Sequence, residues 1–80
     1  MNRYVLKIND STFVSHLNWI AIQIPDIETS KFEDAILITD AYLDYIVRKN
    51  GYGEGVTRRE VLAQYFPHMK IVKVKIMLDE

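Results

Sequence analysis

The sequence has no cysteine, few glycines and prolines, and no long apolar run, and each absence excludes a class of protein. Without cysteine it has neither a disulfide framework nor a thiolate metal site, which favours a reducing compartment. No stretch approaches the ~18 consecutive apolar residues of a membrane span, and the N-terminus lacks the apolar run of a signal peptide. We therefore expect a soluble cytoplasmic protein with no membrane partner.

Length and composition predict one folded unit. The chain has 80 residues, of which 49% are hydrophobic and 26% are charged, an ordinary globular balance. A chain of this size buries only ~60–65% of its unfolded surface, so a large apolar content is needed for stability. No repeat or linker divides the chain, and residues 1–80 are expected to form a single compact domain.

The charge is unevenly distributed, although the net charge is only −1. Residues 26–46 carry six carboxylates against one lysine, a net charge of −5, whereas residues 47–80 carry seven cations against four carboxylates, a net +3. Two surfaces of opposite potential can steer different partners. The alternative is that both are ordinary solvated surfaces.

The N-terminal segment predicts a β-hairpin. Residues 3–8 alternate, which places one set of apolar side chains on a common face: Tyr4, Leu6 and Ile8. Asn, Asp and Ser at residues 9–11 form a turn cluster, because Asn and Asp bond their own main chain. Residues 12–16 then continue as the second strand.

The alternation changes further along this second strand. A bulge or short turn near residues 16–18 is expected to reset the register, because the apolar residues then follow the opposite parity: Ile20, Ile22 and Ile24. Residues 19–24 are predicted to be strand, ended by Pro25. The result is a three-stranded meander or a hairpin with one long bent arm.

The middle of the chain fits two structures. Ser30 and Glu33 have the spacing of a capping box, which predicts a helix over residues 31–49. Alternatively, the apolar residues 35–38 form a short strand and Thr39 caps a shorter helix over residues 40–49. The long helix is preferred for its capping box, and in both versions Gly51 ends the helix.

The C-terminal third predicts a second helix and a last strand. Thr57 and Glu60 form a stronger capping box, followed by a helix that runs through Phe66 and is stopped by Pro67. Residues 70–78 alternate valine or isoleucine with lysine, with Val72 and Val74 predicted to face inward. The order is β-β-(β)-α-α-β, an α+β fold with the helices on one face of a mainly antiparallel sheet.

No set of residues has the spacing of a catalytic or metal site. His16 and His68 lack a metal-ligand spacing and are assigned structural roles. Asp40 and Asp44 lie one helical turn apart and could suit a divalent cation, but such pairs are usually surface charge. We therefore predict no enzyme activity, no metal and no cofactor.

The segment GYGEGVTRRE, residues 51–60, contains all three glycines. It does not match the phosphate-binding loop of nucleotide-binding proteins, because no lysine follows and Glu54 would repel phosphate. It does not match a dinucleotide-binding turn either, since it follows a predicted helix instead of a strand. We interpret it as a connection between two helices.

Tyrosines beside carboxylates predict a protein-binding surface. Tyrosine brings a large contact area at low entropic cost, and carboxylates can face a basic partner. The candidate partner-binding residues are Asp40, Asp44, Tyr45, Tyr52 and Glu54. The alternative is that the tyrosines cover the edges of the core with only their hydroxyls exposed.

Nucleic-acid binding is the second hypothesis. Two helices and a strand could form a winged helix-turn-helix, with these cations on the DNA side: Arg58, Arg59, Lys70, Lys73 and Lys75. Against it, the connection is longer than three or four residues, and the chain is slightly acidic, whereas duplex binders carry excess positive charge.

The segments YVLKIND-STFVSH, FEDAILITDAYLDYIVRKNG and KIVKVKIML resemble small early-region accessory and inhibitor proteins of bacteriophages of Gram-positive bacteria. These proteins begin with a hairpin, continue into a glycine-terminated helix and end in a short valine–lysine strand. The helix over residues 57–66 departs from that pattern. The resemblance implies an inhibitor that binds a host protein, such as a CRISPR nuclease, another defence factor, or a replication or transcription protein.

Overall fold

The computed structural model describes residues 2–21, 24–48 and 56–75. Its elements follow the predicted α+β order, with an additional two-residue strand directly before the first helix. They are β1 (Asn2–Lys7), β2 (Phe13–Ala21), β3 (Ile24–Ser30), a 3-10 turn (Phe32–Asp34), β4 (Ile38–Thr39), α1 (Asp40–Val47), α2 (Arg58–Tyr65) and β5 (Lys70–Lys75).

The five strands form one sheet in which every pairing is antiparallel. β1 is central and pairs with β5 along its whole length. On its other edge, Arg3 and Tyr4 pair with β4, and Lys7 pairs with Phe13 of β2. β3 continues the sheet beyond β2. The sheet therefore has β3 and β5 as its outermost described strands.

Both helices contribute to one hydrophobic core against the sheet. Its fully or almost fully buried members come from three strands and the two helices: Leu6, Val14, Ile38, Ile46 and Leu62. Burying such side chains stabilises the fold by about 1.5–3 kcal/mol each. The predicted α+β class, with helices against an antiparallel sheet, is confirmed.

The predicted turn at residues 9–11 is present. The side-chain oxygen of Asn9 accepts a hydrogen bond of 3.0 Å from the backbone N–H of Ser11. The backbone N–H of Ile8 donates to the carbonyl of Thr12 over 2.8 Å. The local hydrogen bonding that Asn favours thus joins β1 and β2.

The register change in β2 lies slightly earlier than predicted, and its consequence differs. The register with β3 shifts between Val14 and His16, and again between Trp19 and Ala21. After the first shift, Trp19 packs against the core, whereas Ile20 is 72% exposed. The prediction that Ile20 belongs to an inward-facing set after the bulge is therefore wrong, because the bulge turns the odd-numbered residues inward.

β3 completes the predicted three-stranded meander, but it lies later than the strand predicted over residues 19–24, because residues 19–21 belong to β2. β3 begins at Ile24 and includes Pro25, which lies opposite Trp19 in the β2–β3 ladder. Proline lacks an N–H but is tolerated on an edge strand, where that N–H would face solvent. The prediction that Pro25 ends the strand is therefore wrong.

The long helix over residues 31–49 is wrong. Ser30 donates its hydroxyl hydrogen bond to Asp34 over 2.7 Å, and Lys31, at the N-cap of the 3-10 turn, provides no side-chain cap. Ile38 instead enters β4 and the core, and Thr39 caps α1. The Thr39 cap of the alternative is confirmed, but its strand, predicted over residues 35–38, is limited to Ile38–Thr39.

The helix ends are shorter than predicted. α1 ends at Val47, where the backbone N–H of the C-cap Arg48 donates to Asp44, so the helix does not reach residue 49. Gly51, the predicted helix end, lies outside the described residues. In α2 both hydrogen bonds of the Thr57–Glu60 capping box are present, and the helix ends one residue before the predicted Phe66.

The last strand is covered in part on both faces, because Leu6 and Val5, its neighbours on β1, are both buried. Ile71 lies opposite Leu6 and packs against the core, whereas Val72 lies opposite Val5. Neighbouring residues of a strand point to opposite faces, so Val72 and Val74 lie on the face away from the core cluster. They are half-buried there, and Lys73 and Lys75 are exposed as predicted.

Candidate functional site

An open groove of about 500 Å³ lies between β2, the β4–α1 junction and the first turns of α1. Its lining combines three aromatic rings with small and polar side chains: Asn18, Trp19, Thr39, Ala41, Tyr42 and Tyr45. The volume falls in the range of small-ligand and peptide side-chain sites. Its aromatic lining makes it the strongest candidate for a binding site.

The N-terminal cap of α1 positions the two tyrosines. The hydroxyl oxygen of Thr39 accepts a hydrogen bond of 3.1 Å from the backbone N–H of Tyr42, which fixes the start of the helix. Tyr45 follows three residues later on the same side of the helix. The centroids of their rings are 5.6 Å apart at an angle of 38°. The two rings therefore form a continuous aromatic surface.

A cation from α2 completes this cluster. The Cζ atom of Arg58 lies 3.9 Å from the centroid of the Tyr45 ring and 5.6 Å from that of Trp19. Both distances fall within the range of cation–π attraction. Arg58 is the first residue of α2, directly after the capping residue Thr57, so the capping box sets its position.

Two buried N–H groups beside the groove lack acceptors. Among the described residues, Nε1 of Trp19 and Nε of Arg58 are buried without a hydrogen-bond partner. A buried donor without an acceptor costs about 1–3 kcal/mol, so such groups are uncommon in folded proteins. This cost is concentrated at the contact between the aromatic rings and Arg58.

The Tyr42 hydroxyl is shifted by the same surroundings. Burial raises the pKa of Tyr42 above its ordinary value of 10.0, and the nearby Tyr45 adds to the rise. The Trp19 indole N–H and the positive charge of Arg58 act in the opposite direction. The indole N–H is close enough to affect the hydroxyl but does not reach hydrogen-bond geometry. Tyr42 is thus a neutral hydroxyl at the edge of the groove at physiological pH.

The predicted acidic residues of α1 are exposed beside the groove, and each has a partner. Asp40 accepts a hydrogen bond of 2.8 Å from the Tyr4 hydroxyl. This hydrogen bond is the main reason why the pKa of Tyr4 is raised, and desolvation and the negative charge of Asp40 add to the rise. Asp44 forms an exposed i,i+4 ion pair of 3.4 Å with Arg48. Asp44 remains accessible, because exposed pairs of this kind are weak.

The structure brings together only part of the predicted partner surface. Asp40, Asp44 and Tyr45 share α1, whereas Tyr52 and Glu54 lie outside the described residues. Tyr42, which the sequence places beside Tyr45 on the same helix, also lines the groove. Trp19 and Arg58 were not predicted to belong to this surface, because their contacts join distant segments of the chain.

The cations of the nucleic-acid hypothesis do not lie on one surface. Arg58 is half-buried against the rings, and Arg59 is exposed on α2 near Val47 and Ala63. On β5 the lysines divide by strand alternation, with Lys70 on one face of the sheet and two others on the opposite face: Lys73 and Lys75.

His16 contacts a carboxylate of the neighbouring strand. Its Nε2 lies 3.2 Å from the Asp26 carboxylate across the β2–β3 pair, and both side chains are about half exposed. In the described ranges, no group of three or more His, Cys, Asp or Glu side chains is placed to hold a metal ion. The pair cross-links β2 to the edge strand β3.

Comparison with protein-family models, with curated proteins and with solved structures gives no match to this chain. Within the described residues, no helix has the length and apolar character needed to cross a membrane.

Proposed function

We propose that this protein is a small protein-binding module whose partner surface is centred on the groove of Trp19, Tyr42 and Tyr45. The observation that carries the proposal is the stacking of Arg58 on Tyr45 beside this open groove. Trp, Tyr and Arg are the residue types that dominate binding energy at protein interfaces. Here they come from three separate elements and converge at one place.

Two features favour a site that is filled by a partner over ordinary edge packing. The first is the pair of buried N–H groups without acceptors, on Trp19 and Arg58. When the rings separate slightly, a partner's carbonyl or carboxylate oxygen can accept from them, which removes the cost of leaving them unpaired. The second is the opening of the groove to solvent between α1 and β2.

The charge around the groove favours a basic partner. Asp40 and Asp44 are exposed on α1 beside the aromatic surface, within a segment of net charge −5. A carboxylate rim of this kind attracts a positively charged surface and repels nucleic acid. The partner proposed here therefore presents a lysine- or arginine-rich surface around an apolar or aromatic side chain.

The finer proposal adds the biological setting. The resemblance to early-region phage proteins supports a phage-encoded inhibitor that acts in the cytoplasm of a bacterial host. It would occlude a basic surface of a CRISPR nuclease, another defence factor, or a replication or transcription protein. Such surfaces are basic because they bind nucleic acid. Inhibition of this kind needs no enzyme activity, metal or cofactor, because occlusion requires contact alone.

A matched pair of variants tests the groove. Ala41 is exposed and lines the groove, whereas Ala63 is exposed on α2 and lies away from it. Ala41→Arg should fill the groove and reverse the local charge, and Ala63→Arg adds the same side chain elsewhere. In pull-downs from a bacterial lysate, wild type and Ala63→Arg should enrich the same protein and Ala41→Arg should not.

The outcome that contradicts the proposal is capture of that protein by folded Ala41→Arg at the wild-type level. Circular dichroism of both variants establishes that they are folded. A second variant, Tyr52→Ala/Glu54→Lys, tests the predicted extension of the surface onto residues 51–55. Undiminished capture by it would confine the partner surface to the groove and α1.

A further inference from the structure

A second cavity lies where the β1–β2 turn meets the start of β5. Its volume is about 340 Å³, and its lining is mainly basic and polar: Lys7, Ile8, Asn9, Asp10, His68 and Lys70. None of these residues lines the aromatic groove. This volume is sufficient for a small ligand and its hydration, since a water molecule takes about 30 Å³ in the liquid.

The two lysines of this cavity lie side by side on adjacent strands. Lys7 lies directly opposite Lys70 in the β1–β5 ladder, so both side chains project from the same face. On the other edge of β1, Lys7 lies opposite Phe13, which is only 8% exposed. Like charges directly opposite in a ladder are destabilising.

The protein neutralises this pair incompletely. The Asp10 carboxylate lies 3.9 Å from Nζ of Lys7, at the limit of an ion pair, and its side chain is fully exposed. Such a contact contributes little, because water competes for both groups. Among the described residues, Lys70 has no ion-pair partner. The cavity therefore keeps an excess of positive charge.

Two turns hold the remaining polar groups in place. A hydrogen bond of 3.0 Å from Met69 N–H to the Phe66 carbonyl closes a turn with Pro67 and His68 at its centre. Proline in the second position of a turn fixes the backbone and so limits the positions of the His68 imidazole. Asn9 is held on the opposite side by its hydrogen bond to Ser11.

We propose that this cavity binds the phosphoryl group of a small phosphorylated molecule. The ammonium groups of Lys7 and Lys70 contact the phosphoryl oxygens, and the His68 imidazole donates a further hydrogen bond. The bound anion removes the repulsion between the two lysines. The lining has no phenylalanine, tyrosine or tryptophan ring, and its one imidazole, that of His68, is assigned to the phosphoryl group, so the site selects the phosphoryl group itself and not a nucleotide base.

The test uses the full chain, labelled with ¹⁵N and titrated with inorganic phosphate and with phosphoserine. The amide signals of residues 7–10 and 68–70 should move in a saturable way. Lys70→Gln should weaken binding roughly tenfold, the effect of removing one charge-assisted hydrogen bond. Lys73→Gln removes an equal charge from the opposite face of β5 and should leave the affinity unchanged.

Stability gives a second measurement. Without phosphate, Lys70→Gln should unfold at a temperature equal to or above that of wild type, because the repulsion is relieved. At the same phosphate concentration, the unfolding temperature should rise more for wild type and for Lys73→Gln than for Lys70→Gln.

Three results would overturn the proposal. One is the absence of saturable shifts with either probe, and another is equal weakening by Lys70→Gln and Lys73→Gln, which indicates general surface attraction. The third is tight binding of duplex DNA without a response to phosphate or phosphoserine, which would assign these lysines to a nucleic-acid backbone. Saturation by phosphoserine but not by inorganic phosphate would support the proposal and identify a phosphomonoester as the ligand.

Discussion

The guanidinium carbon of Arg58 lies 3.9 Å from the centroid of the Tyr45 ring. From the sequence, Tyr45 is a candidate for a protein-binding surface and Arg58 for a rival nucleic-acid-binding surface. Their contact joins the first turn of α2 to the middle of α1. Arg58 cannot enter a DNA groove while it stacks on this ring, so the contact favours the protein-binding account.

The first prediction concerns the strength of this contact. A double-mutant cycle with Arg58→Met and Tyr45→Leu should give a coupling free energy of about 0.5–2 kcal/mol, the range of cation–π pairs from exposed to desolvated sites. Urea denaturation measures the four stabilities. The control is Arg59→Met, an exposed neighbour that should change stability by less than ~0.5 kcal/mol. A coupling energy near zero would show that the stacking does not hold α2 against α1.

The second prediction concerns the cap that positions Arg58. The Thr57 hydroxyl oxygen accepts a hydrogen bond of 3.1 Å from the Glu60 backbone N–H. Thr57→Ala should destabilise the protein by about 1 kcal/mol, and Thr57→Ser should retain most of the stability, because serine caps equally well. If Thr57→Ser destabilises the protein as much as Thr57→Ala, the methyl group and not the cap is responsible.

The third prediction concerns alkaline pH. The hydrogen bond to Asp40 raises the pKa of Tyr4, so the folded state holds the phenolic proton more tightly than the unfolded state does. The resulting stability is complete below the ordinary pKa of 10.0 and is lost as the pH rises through the higher folded value. Urea denaturation from neutral to strongly alkaline pH should show this decline.

The controls for this decline are Tyr4→Phe and Asp40→Asn. Tyr4→Phe removes the titrating group, and Asp40→Asn removes the charge that opposes ionisation, so both should reduce the alkaline loss. Neither should abolish it, because burial raises the pKa of Tyr42 as well. An alkaline decline in Tyr4→Phe as steep as in wild type would contradict the role of this hydrogen bond.

The fourth prediction concerns nucleic acid. The candidate cations are divided between two faces of β5 and the aromatic cluster, and the carboxylates of α1 repel phosphate. A mobility-shift titration with duplex DNA at low salt should therefore give no shifted band. A band that weakens steeply with salt and is lost in Arg59→Gln would support the nucleic-acid hypothesis instead.

The features that the sequence predicted well depend on local hydrogen bonds. Asn9 forms its turn and Thr57 forms its capping box because donor and acceptor lie within three residues of each other. Thr39 also caps α1, as the alternative with the shorter helix predicted. Side-chain preferences at such positions act over short distances and can be identified from a single sequence.

The features that it missed depend on distant contacts. Ser30 has an equally local spacing to Glu33, but its hydroxyl donates to Asp34 and caps no long helix. The long helix is absent because Ile38 lies in β4 and is buried in the core with Leu6. β3 is polar and contains Pro25, so its strand character comes from pairing with β2. Trp19 packs against the core and lines the groove because the register of β2 shifts between Val14 and His16, earlier than the apolar pattern indicates.

The central claim is that the groove beside α1 contacts a protein partner, and site-specific photocrosslinking tests it most directly. A benzophenone amino acid is placed at position 41, in the groove, or at position 63, on the exposed side of α2, and the chain is expressed in bacterial cells. The account predicts a discrete crosslinked protein from position 41 and none from position 63. Crosslinking from position 63 alone, or from neither position, would contradict it.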